Sequence, residues 1–378
     1  MKVTVAMDSF KGSLTSMEAG QAVAEGVRRA CPGAEILLSP LADGGEGTVE
    51  ALTLGLGGEL VSRTVTGPLG EPVSARYGLL SDGITAVLEM ASAAGLPLVP
   101  AHRRNPLHAT TRGVGELIAD ALDRGCRRFV VGIGGSATND GGVGMLAALG
   151  YRFLDREGDL IPPGAVGLEQ LAHIDASNRR PELADCRFRI ACDVDSPLCG
   201  PLGSSAVFGP QKGATPEMVE RLDALLARYA RITREGNPAA DPDLPGAGAA
   251  GGLGFGFLAH LNGELVSGAQ LVLEETGLEQ RMAGSDLVIT GEGRIDSQTA
   301  LGKAPHAVAV LAGRLGCPAV GLGGMLTQDA RPGELAAIFP ILRRPCTLGE
   351  AMDPAFARQN LADTAEQLCR LWQAARRR

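Results

Sequence analysis

A short apolar strand followed at once by a glycine-rich polar loop is the feature that most constrains how this chain can fold. Residues 129–131 are Phe-Val-Val, typical of a buried strand, and residues 132–142 read GIGGSATNDGG. The five glycines of this loop remove Cβ atoms and permit positive φ, so backbone N–H groups can crowd around a ligand. Because an apolar stretch that can continue as a helix follows, the pattern predicts an anion-binding site. A capped strand-to-helix turn without a ligand is the alternative.

The small polar residues of this loop are candidate binding residues, because packing alone has little use for such a mixture. The candidates are Gly134, Gly135, Ser136, Thr138, Asn139 and Asp140.

The same order of strand, polar loop and helix recurs near both ends of the chain. The loops read DSFKGS at 8–13, PLADGGEGT at 40–48 and GEGRIDSQT at 291–299. Such βαβ patterns predict a parallel sheet, which binds ligands at the carboxyl ends of its strands. We therefore expect Asp8, Lys11, Asp43 and Glu46 at the functional edge of the sheet.

The middle of the chain has a different sequence pattern from its two ends. From about residue 59, short strand-like runs with turn residues between them indicate a mixed sheet. The economical arrangement is an α/β protein whose parallel-sheet domain is built from residues 1–60 and 285–378. Residues 61–284 are then an inserted α/β domain with a mixed sheet.

Composition and charge exclude several classes of protein. The net charge of −8, without a basic stripe, argues against a general nucleic-acid binder. No signal peptide or long apolar run is found, and the eight cysteines lack metal-ligand spacing, so we expect a cytoplasmic protein with reduced thiols. Glycine, at 53 of 378 residues, has roughly double its usual share of about 7%. These glycines cluster in loops after apolar runs, which indicates that the backbone of these loops faces a ligand and is not a flexible linker.

Two carboxylates follow another strand-like run in the middle of the chain. Asp193 and Asp195 come after residues 188–192, and paired carboxylates at a strand end suit Mg²⁺ or general-base work. A capped turn before Pro197 is the alternative.

Six motifs in order resemble those of the type I bacterial glycerate kinases. They are DSFKGS (8–13), LADGGEGT (41–48), GIGGSATNDGG (132–142), ACDVDSPL (191–198), FGPQKGA (208–214) and TGEGRIDSQT (290–299). The resemblance runs from about residue 1 to 375. It implies ATP-dependent phosphorylation of D-glycerate, with 2-phosphoglycerate the usual product of this type. It also implies a flavodoxin-like domain formed from both termini and a separate inserted α/β domain.

The resemblance and the demands of phosphoryl transfer together suggest residue roles. Lys11 and Arg294 are the predicted cations for the transferring phosphate or the substrate carboxylate. Asp193 is the first candidate for general base or metal ligand, ahead of Asp43, Asp195 and Asp296, with Asp193 and Asp195 as the predicted Mg²⁺ ligands. The other predicted substrate- or phosphate-binding residues are Asp8, Ser9, Asp43, Glu46, Gly291, Glu292, Asp296 and Gln298. Structural alternatives are a helix cap for Lys11 and an ion pair with Glu292 for Arg294.

The expected ligands are ATP, Mg²⁺ and D-glycerate, held in a cleft between the two domains. No nucleic-acid or membrane partner is expected, and a homo-oligomer is left open.

Two other functions are alternatives to a kinase. A dinucleotide-binding oxidoreductase is suggested by Gly132-x-Gly134-x-x-Ala137 after a strand, with Asp155 further along. Against it, residues 139–142 interrupt the helix that should carry the pyrophosphate. A non-catalytic metabolite sensor on the same scaffold is disfavoured, because no docking or DNA-binding module is appended.

Overall fold

The computed structural model describes residues 1–42, 44, 45, 47–297, 299 and 303–376. Three of the predicted site residues, Asp43, Glu46 and Gln298, lie outside the described residues. Contacts group the chain into two compact units. Unit 1 comprises Met1–Asp43, Glu50–Leu56 and Ala269–Arg378, and unit 2 comprises Gly44–Val49 and Gly57–Gly268.

The strands and helices of the described residues are as follows. The strands are β1 (Lys2–Met7), β2 (Glu35–Leu38), β3 (Glu59–Thr66), β4 (Pro72–Leu79), β5 (Thr85–Glu89), β6 (Arg128–Gly132), β7 (Arg152–Leu154), β8 (His173–Asp175), β9 (Arg187–Ala191), β10 (Glu264–Val266), β11 (Leu287–Ile295), β12 (Ala319–Leu326) and β13 (Ala337–Pro340). The α-helices are α1 (Ser16–Ala30), α2 (Thr48–Gly55), α3 (Ala91–Ala94), α4 (Arg112–Asp123), α5 (Val143–Ala148), α6 (Ser204–Phe208), α7 (Pro216–Gly236), α8 (Ala249–His260), α9 (Gly268–Glu275), α10 (Leu278–Met282), α11 (Ala304–Arg314), α12 (Leu348–Met352) and α13 (Pro354–Arg376). Short 3₁₀ segments lie at Leu96–Leu98, Ala101–Arg103, Ala165–Glu169, Pro181–Asp185 and Pro210–Lys212.

Unit 1 is built on a five-stranded parallel sheet in the order β13-β12-β11-β1-β2. Successive side chains of a strand point to opposite faces, and both faces here are covered. Val3 and Val5 pack in the core that includes α1 and α13, whereas Ala6 packs in the core that includes α11. Strands buried on both sides need near-continuous apolar runs, as β1 shows.

The helix α1 shows how local sequence positions this layer. Thr15 and Glu18 form the capping box that the sequence predicts. Further along, α1 packs closely on α13, since a Cβ on Gly26 would lie 2.0 Å from the carbonyl oxygen of Ala362. A side chain at this position would force the two helices apart.

Unit 2 is built on a six-stranded mixed sheet in the order β10-β9-β6-β5-β4-β3. Strands β5, β6, β9 and β10 run parallel, whereas β3, β4 and β5 pair antiparallel. Strands β7 and β8 form a separate antiparallel pair. In the core, the rings of Phe129 and Phe188 stack at 4.7 Å across the centre of the large sheet.

The predicted fold class is confirmed: a parallel sheet built from both ends of the chain, and a second, mixed sheet from the middle. Strands β7, β8 and β10 were not predicted, because three residues are too few to show alternation. Residues 269–284 group with the chain termini by contact. The division into domains at residues 60/61 and 284/285 stays a prediction.

Candidate active site

The central loop, residues 132–142, follows β6 in the middle of the unit 2 sheet. It is fastened to residues 94–96, because Leu96 N donates to Gly135 O (2.8 Å) and Ala137 N donates to Ala94 O (2.9 Å). Between these bonds, the backbone N–H groups of Gly134, Gly135 and Ser136 meet no acceptor among the described residues. Gly134 and Gly135 are also exposed. Three successive available N–H groups suit an anion.

The second glycine motif of the chain lies against this loop. A Cβ on Gly132 would be 2.3 Å from the carbonyl oxygen of Gly44, and a Cβ on Gly134 would be 3.7 Å from Gly45 Cα. A Cβ on Gly44, whose φ is +81°, would lie 2.4 Å from Ala191 Cβ. Residues 44 and 45 therefore cross the carboxyl ends of β6 and β9, where only glycine leaves room.

Carboxylates lie at the same edge of the unit 2 sheet. Glu89, the last residue of β5, accepts a hydrogen bond from Val49 N (2.8 Å). Asp193, two residues after β9, accepts one from Gly268 N (3.0 Å). Asp193 and Asp195 are both exposed, so a ligand can reach them.

The next three polar residues of the central loop are fully buried. Asp140 accepts hydrogen bonds from Thr111 N (2.8 Å), Thr111 Oγ1 (2.9 Å), Gly142 N (3.2 Å) and Gly144 N (3.2 Å). Burial raises the pKa of the Asp140 carboxyl, while these donors favour its ionised form. Asn139 Nδ2 donates to Ser205 Oγ (3.0 Å), and the carbonyl of Thr138 is also bonded. Thr138, Asn139 and Asp140 thus lie on the buried side of the loop and bind it to the interior of unit 2.

The donor to the Thr138 carbonyl is the amine of Lys212, at 2.7 Å. Lys212 is only 1% exposed, and burial lowers its pKa to about 7. It belongs to the FGPQKGA motif, to which the sequence analysis gave no role. The feature of the sequence that could have identified Lys212 is its position as the one charged residue of a motif that otherwise resembles a turn.

In unit 1, two predicted loops lie side by side at the carboxyl ends of β1 and β11. Asp8 N donates to Gly291 O (2.8 Å), and Ser9 N donates to Asp8 Oδ1 (2.6 Å). A Cβ on Gly293 would lie 3.6 Å from the backbone nitrogen of Lys11, so the two loops are close together here. Lys11 itself is an exposed residue.

The loop after β11 holds a cluster of charges. Arg294 Nε lies 3.3 Å from Asp296 Oδ2, so its partner is Asp296 instead of Glu292. Glu292 is 9% exposed and accepts a hydrogen bond from Thr299 Oγ1 (2.8 Å), and burial raises the pKa of its carboxyl. Lys303 Nζ lies 3.4 Å from Glu292 Oε2 and 3.6 Å from Asp296 Oδ1.

Lys303 adds a cation that was not among the predicted site residues. The structure therefore brings Asp8, Ser9, Lys11, Gly291, Glu292, Arg294 and Asp296 to one edge of unit 1. It brings Gly134, Gly135, Ser136 and Asp193 to one edge of unit 2.

The geometry contradicts a dinucleotide-binding fingerprint at the central loop. That fingerprint needs a helix that opens within the motif, whereas α5 begins only at Val143. Asp155 follows β7, which pairs with β8 and not with β6, and it accepts bonds from the nearby Glu157 N and Asp159 N. The helix predicted to follow this loop is confirmed as α5, which begins at Val143, seven residues beyond Ser136. The helix-dipole part of the anion site stays a prediction.

Two features are absent from the part of the chain that the structure describes. No helix in this part of the chain is long and apolar enough to cross a membrane. No three His, Cys, Asp or Glu side chains within it are grouped so that they could enclose a metal ion.

Comparison with known proteins gives one consistent family. Residues 3–373 match the sequence profile of the glycerate kinase family. The chain is 48% identical to a glycerate kinase of Bacillus subtilis (strain 168), covering 94% of each chain. It is 46% identical to the glycerate 2-kinase of Escherichia coli (strain K12), covering 96% of this chain and 98% of that one.

A crystal structure from the same family closely matches the fold of this chain. The protein assigned as glycerate kinase 2 from Salmonella typhimurium LT2 superposes with a TM-score of 0.94, at 46% identity, over 100% of both chains. Profile, sequence and structure all cover nearly the whole chain. The chain is therefore a member of the glycerate kinase family of enzymes, as its six motifs indicated.

Proposed function

We propose that this enzyme transfers the γ-phosphoryl group of ATP to D-glycerate and forms 2-phosphoglycerate. The observation that carries the proposal is the run of three available N–H groups at Gly134, Gly135 and Ser136. These donors suit phosphate oxygens, as kinases require. A close relative in Escherichia coli bears the name glycerate 2-kinase, which favours the 2-hydroxyl as acceptor.

Cationic side chains of unit 1 supply the second part of the proposal. Lys11 and Arg294 bind the transferring phosphoryl group or the carboxylate of glycerate. The planar guanidinium of Arg294 can hold a carboxylate with two hydrogen bonds, whereas Lys11 acts as a compact charge. Since phosphoryl transfer has a loose transition state, positioning and charge stabilisation outweigh base strength.

The Mg²⁺ that accompanies ATP would be held by Asp193 and Asp195. Both carboxylates are exposed on the loop after β9, and Mg²⁺ in kinases takes one or two carboxylates, with phosphates and waters completing its shell. When bound, the ion neutralises phosphate charge. Asp193 also remains the first candidate to accept the proton of the glycerate hydroxyl, because it alone of the two is oriented by a backbone donor, Gly268 N.

Several finer points stay predictions. They are the placement of ATP and glycerate in a cleft between two domains, the domain boundaries, the roles of Asp43, Glu46 and Gln298, and a cytoplasmic location.

Phosphorus NMR of the product tests the proposal. The enzyme is incubated with D-glycerate, ATP and Mg²⁺, and the proton-coupled phosphorus spectrum is recorded. Phosphate on the 2-oxygen couples to one methine proton and gives a doublet, as we expect. A triplet from coupling to a methylene group would show transfer to the 3-oxygen and would overturn the proposed product.

A further inference from the structure

Unit 2 contains a cavity that none of the six motifs lines. Its volume is about 490 Å³, within the range of small-molecule sites. It lies where α7 and α8 end, next to β8, and its lining includes Tyr151, Ile232, Gly236 and His260. The central loop contributes no residue to it.

The inner wall of the cavity is apolar and aromatic. Ile232 and Ala259 are 5% and 8% exposed. The rings of Tyr151 and His260 meet edge to face, with centroids 5.6 Å apart. Burial lowers the pKa of His260 to about 4, so its ring is neutral at pH 7. Such a wall suits a flat uncharged ring.

The mouth of the cavity carries charge of both signs. The carboxyl end of α7 brings partial negative charge, and Glu235 adds a carboxylate, which pairs with the exposed Arg231 at 2.8 Å. At the end of α8, the carbonyl oxygens of Ala259 and His260 already accept hydrogen bonds from Asn237 Nδ2 and Tyr151 Oη. Arg179 also lines the cavity and is exposed. Its guanidinium makes no hydrogen bond or ion pair with any residue that the structure describes. A ligand with an ammonium and a carboxylate matches this pattern.

Two stacked rings connect the cavity to the central loop. His260 stacks on Tyr229, with centroids 5.9 Å apart and planes 13° from parallel. Tyr229 in turn packs on Gly141 of the loop, where an added Cβ would lie 2.8 Å from the ring. A ligand that moves the His260 ring therefore acts on the loop through one intervening side chain.

We propose that this cavity is an effector site for an α-amino acid with an aromatic side chain. The side chain lies against Ile232 and His260, the ammonium at the carboxyl end of α7 beside Glu235, and the carboxylate at Arg179. This site is separate from the one proposed for ATP and glycerate.

Isothermal titration calorimetry of the full chain with L-phenylalanine tests the binding. We expect saturable one-to-one binding, and much weaker binding of N-acetyl-L-phenylalanine and L-phenylalaninamide, which each lack one charge. Arg179→Gln should weaken binding about tenfold, the loss of one charge-assisted hydrogen bond. Absence of binding up to about 10 mM, or equal affinity for all three compounds, would overturn the site.

A matched pair of variants at Gly236 locates the ligand. A Cβ on Gly236 meets no atom within 4 Å, so a side chain there enters open space. Because Gly236 lines the cavity, Gly236→Leu should block binding by narrowing it, whereas Gly236→Ala should preserve binding. Unchanged binding in Gly236→Leu would place the ligand elsewhere and refute the assignment.

The effector role rests on the proposed function and has its own readout. Saturating L-phenylalanine should change the glycerate-dependent turnover of the native enzyme and leave that of Gly236→Leu unchanged. An equal response in both proteins, or no response in the native one, would refute the effector role. Calorimetry needs no catalysis, so failure of the kinase proposal is distinguishable from failure of this one.

Discussion

The carboxyl group of Asp140 lies in the interior of unit 2, at 0% exposure, and its two oxygens accept four hydrogen bonds. Because these donors come from Thr111, Gly142 and Gly144, the carboxylate ties the central loop to the start of α4 and α5. A buried carboxylate with satisfied oxygens is tolerated, whereas an unmatched polar atom there is costly.

We therefore expect Asp140→Asn to lower the free energy of unfolding by about 2 kcal/mol, since the amide would turn an N–H donor toward other donors. Urea denaturation checks this, with Asp185→Asn, an exposed position, as the control. Equal stability of the two variants would mean that the Asp140 bonds contribute little.

The depressed pKa of Lys212 predicts a pH dependence of stability. Its pKa falls from 10.5 to about 7 on folding, so the unfolded chain binds more protons between these values. Stability then rises with pH in that window. Between pH 7 and pH 9 the contribution of Lys212 should grow by about 2 kcal/mol.

Urea unfolding at both pH values measures this gain. The native protein should show it relative to Lys212→Met, while Gln211→Met, an exposed neighbour, should keep the native slope. Parallel pH profiles for the native protein and Lys212→Met would contradict a neutralised buried amine.

Lys11 and Arg294 are the residues on which the proposed chemistry depends. Replacing either by alanine should lower kcat by about two to three orders of magnitude, as loss of one electrostatic donor does. The exposed Arg314→Ala, at the end of α11, is the control and should leave kcat unchanged. Near-native turnover in Lys11→Ala or Arg294→Ala would remove that residue from the mechanism.

At this scale, the sequence identifies which residues lie in loops at strand ends, but not which way they face. Thr138, Asn139 and Asp140 were predicted to bind the ligand, and their burial was not foreseen because their buried partners lie far along the chain. Those partners are 74 residues away for Thr138, 66 for Asn139 and 29 for Asp140. Local pattern contains no information on such pairs.

At the scale of elements, α8 supports the central loop with backbone instead of side chains. Its first turn is left-handed at residues 250–252. The carbonyl oxygen of Gly251, whose φ is +74°, accepts a hydrogen bond from Gly141 N at 2.9 Å. A Cβ on Gly251 would lie 2.0 Å from the carbonyl oxygen of Thr138. Close backbone approach thus explains the glycine run at 251–256.

Gly251→Ala should therefore destabilise the protein by about 2 kcal/mol or more, through backbone strain and steric conflict. Gly313→Ala is the matched control, because a Cβ there meets nothing within 4 Å in the helix α11. Its effect should be neutral or stabilising, by up to about 1 kcal/mol. Equal thermal unfolding of the two variants would contradict the packing described for α8.

Regular elements were predictable where their periodicity is strong. The capping box of α1 and the apolar stripe of α7, with Leu222, Leu226 and Tyr229 buried, follow directly from sequence. The start of α8 did not, because a run of glycines and alanines has no amphipathic pattern, and its left-handed residues depend on contact with the loop.

At the scale of the whole molecule, two sheets of different type come from one chain. The parallel sheet of unit 1 takes β1 and β2 from the first residues and β11, β12 and β13 from the last. Similar strand–loop–helix patterns at both ends made this predictable. The contact-based boundary at residue 268 was not predictable. The helices α9 and α10 bury side chains in a core that includes Ala6 and Leu41 from the start of the chain, and such distant partners leave no local pattern.

The most direct test of the account is the turnover of ATP by the intact enzyme as a function of D-glycerate. We expect ADP to appear only when D-glycerate and Mg²⁺ are both present, in a one-to-one ratio with phosphoglycerate. ADP formation at the same rate without glycerate, or none with it, would contradict the proposal that these loops carry phosphoryl transfer to glycerate.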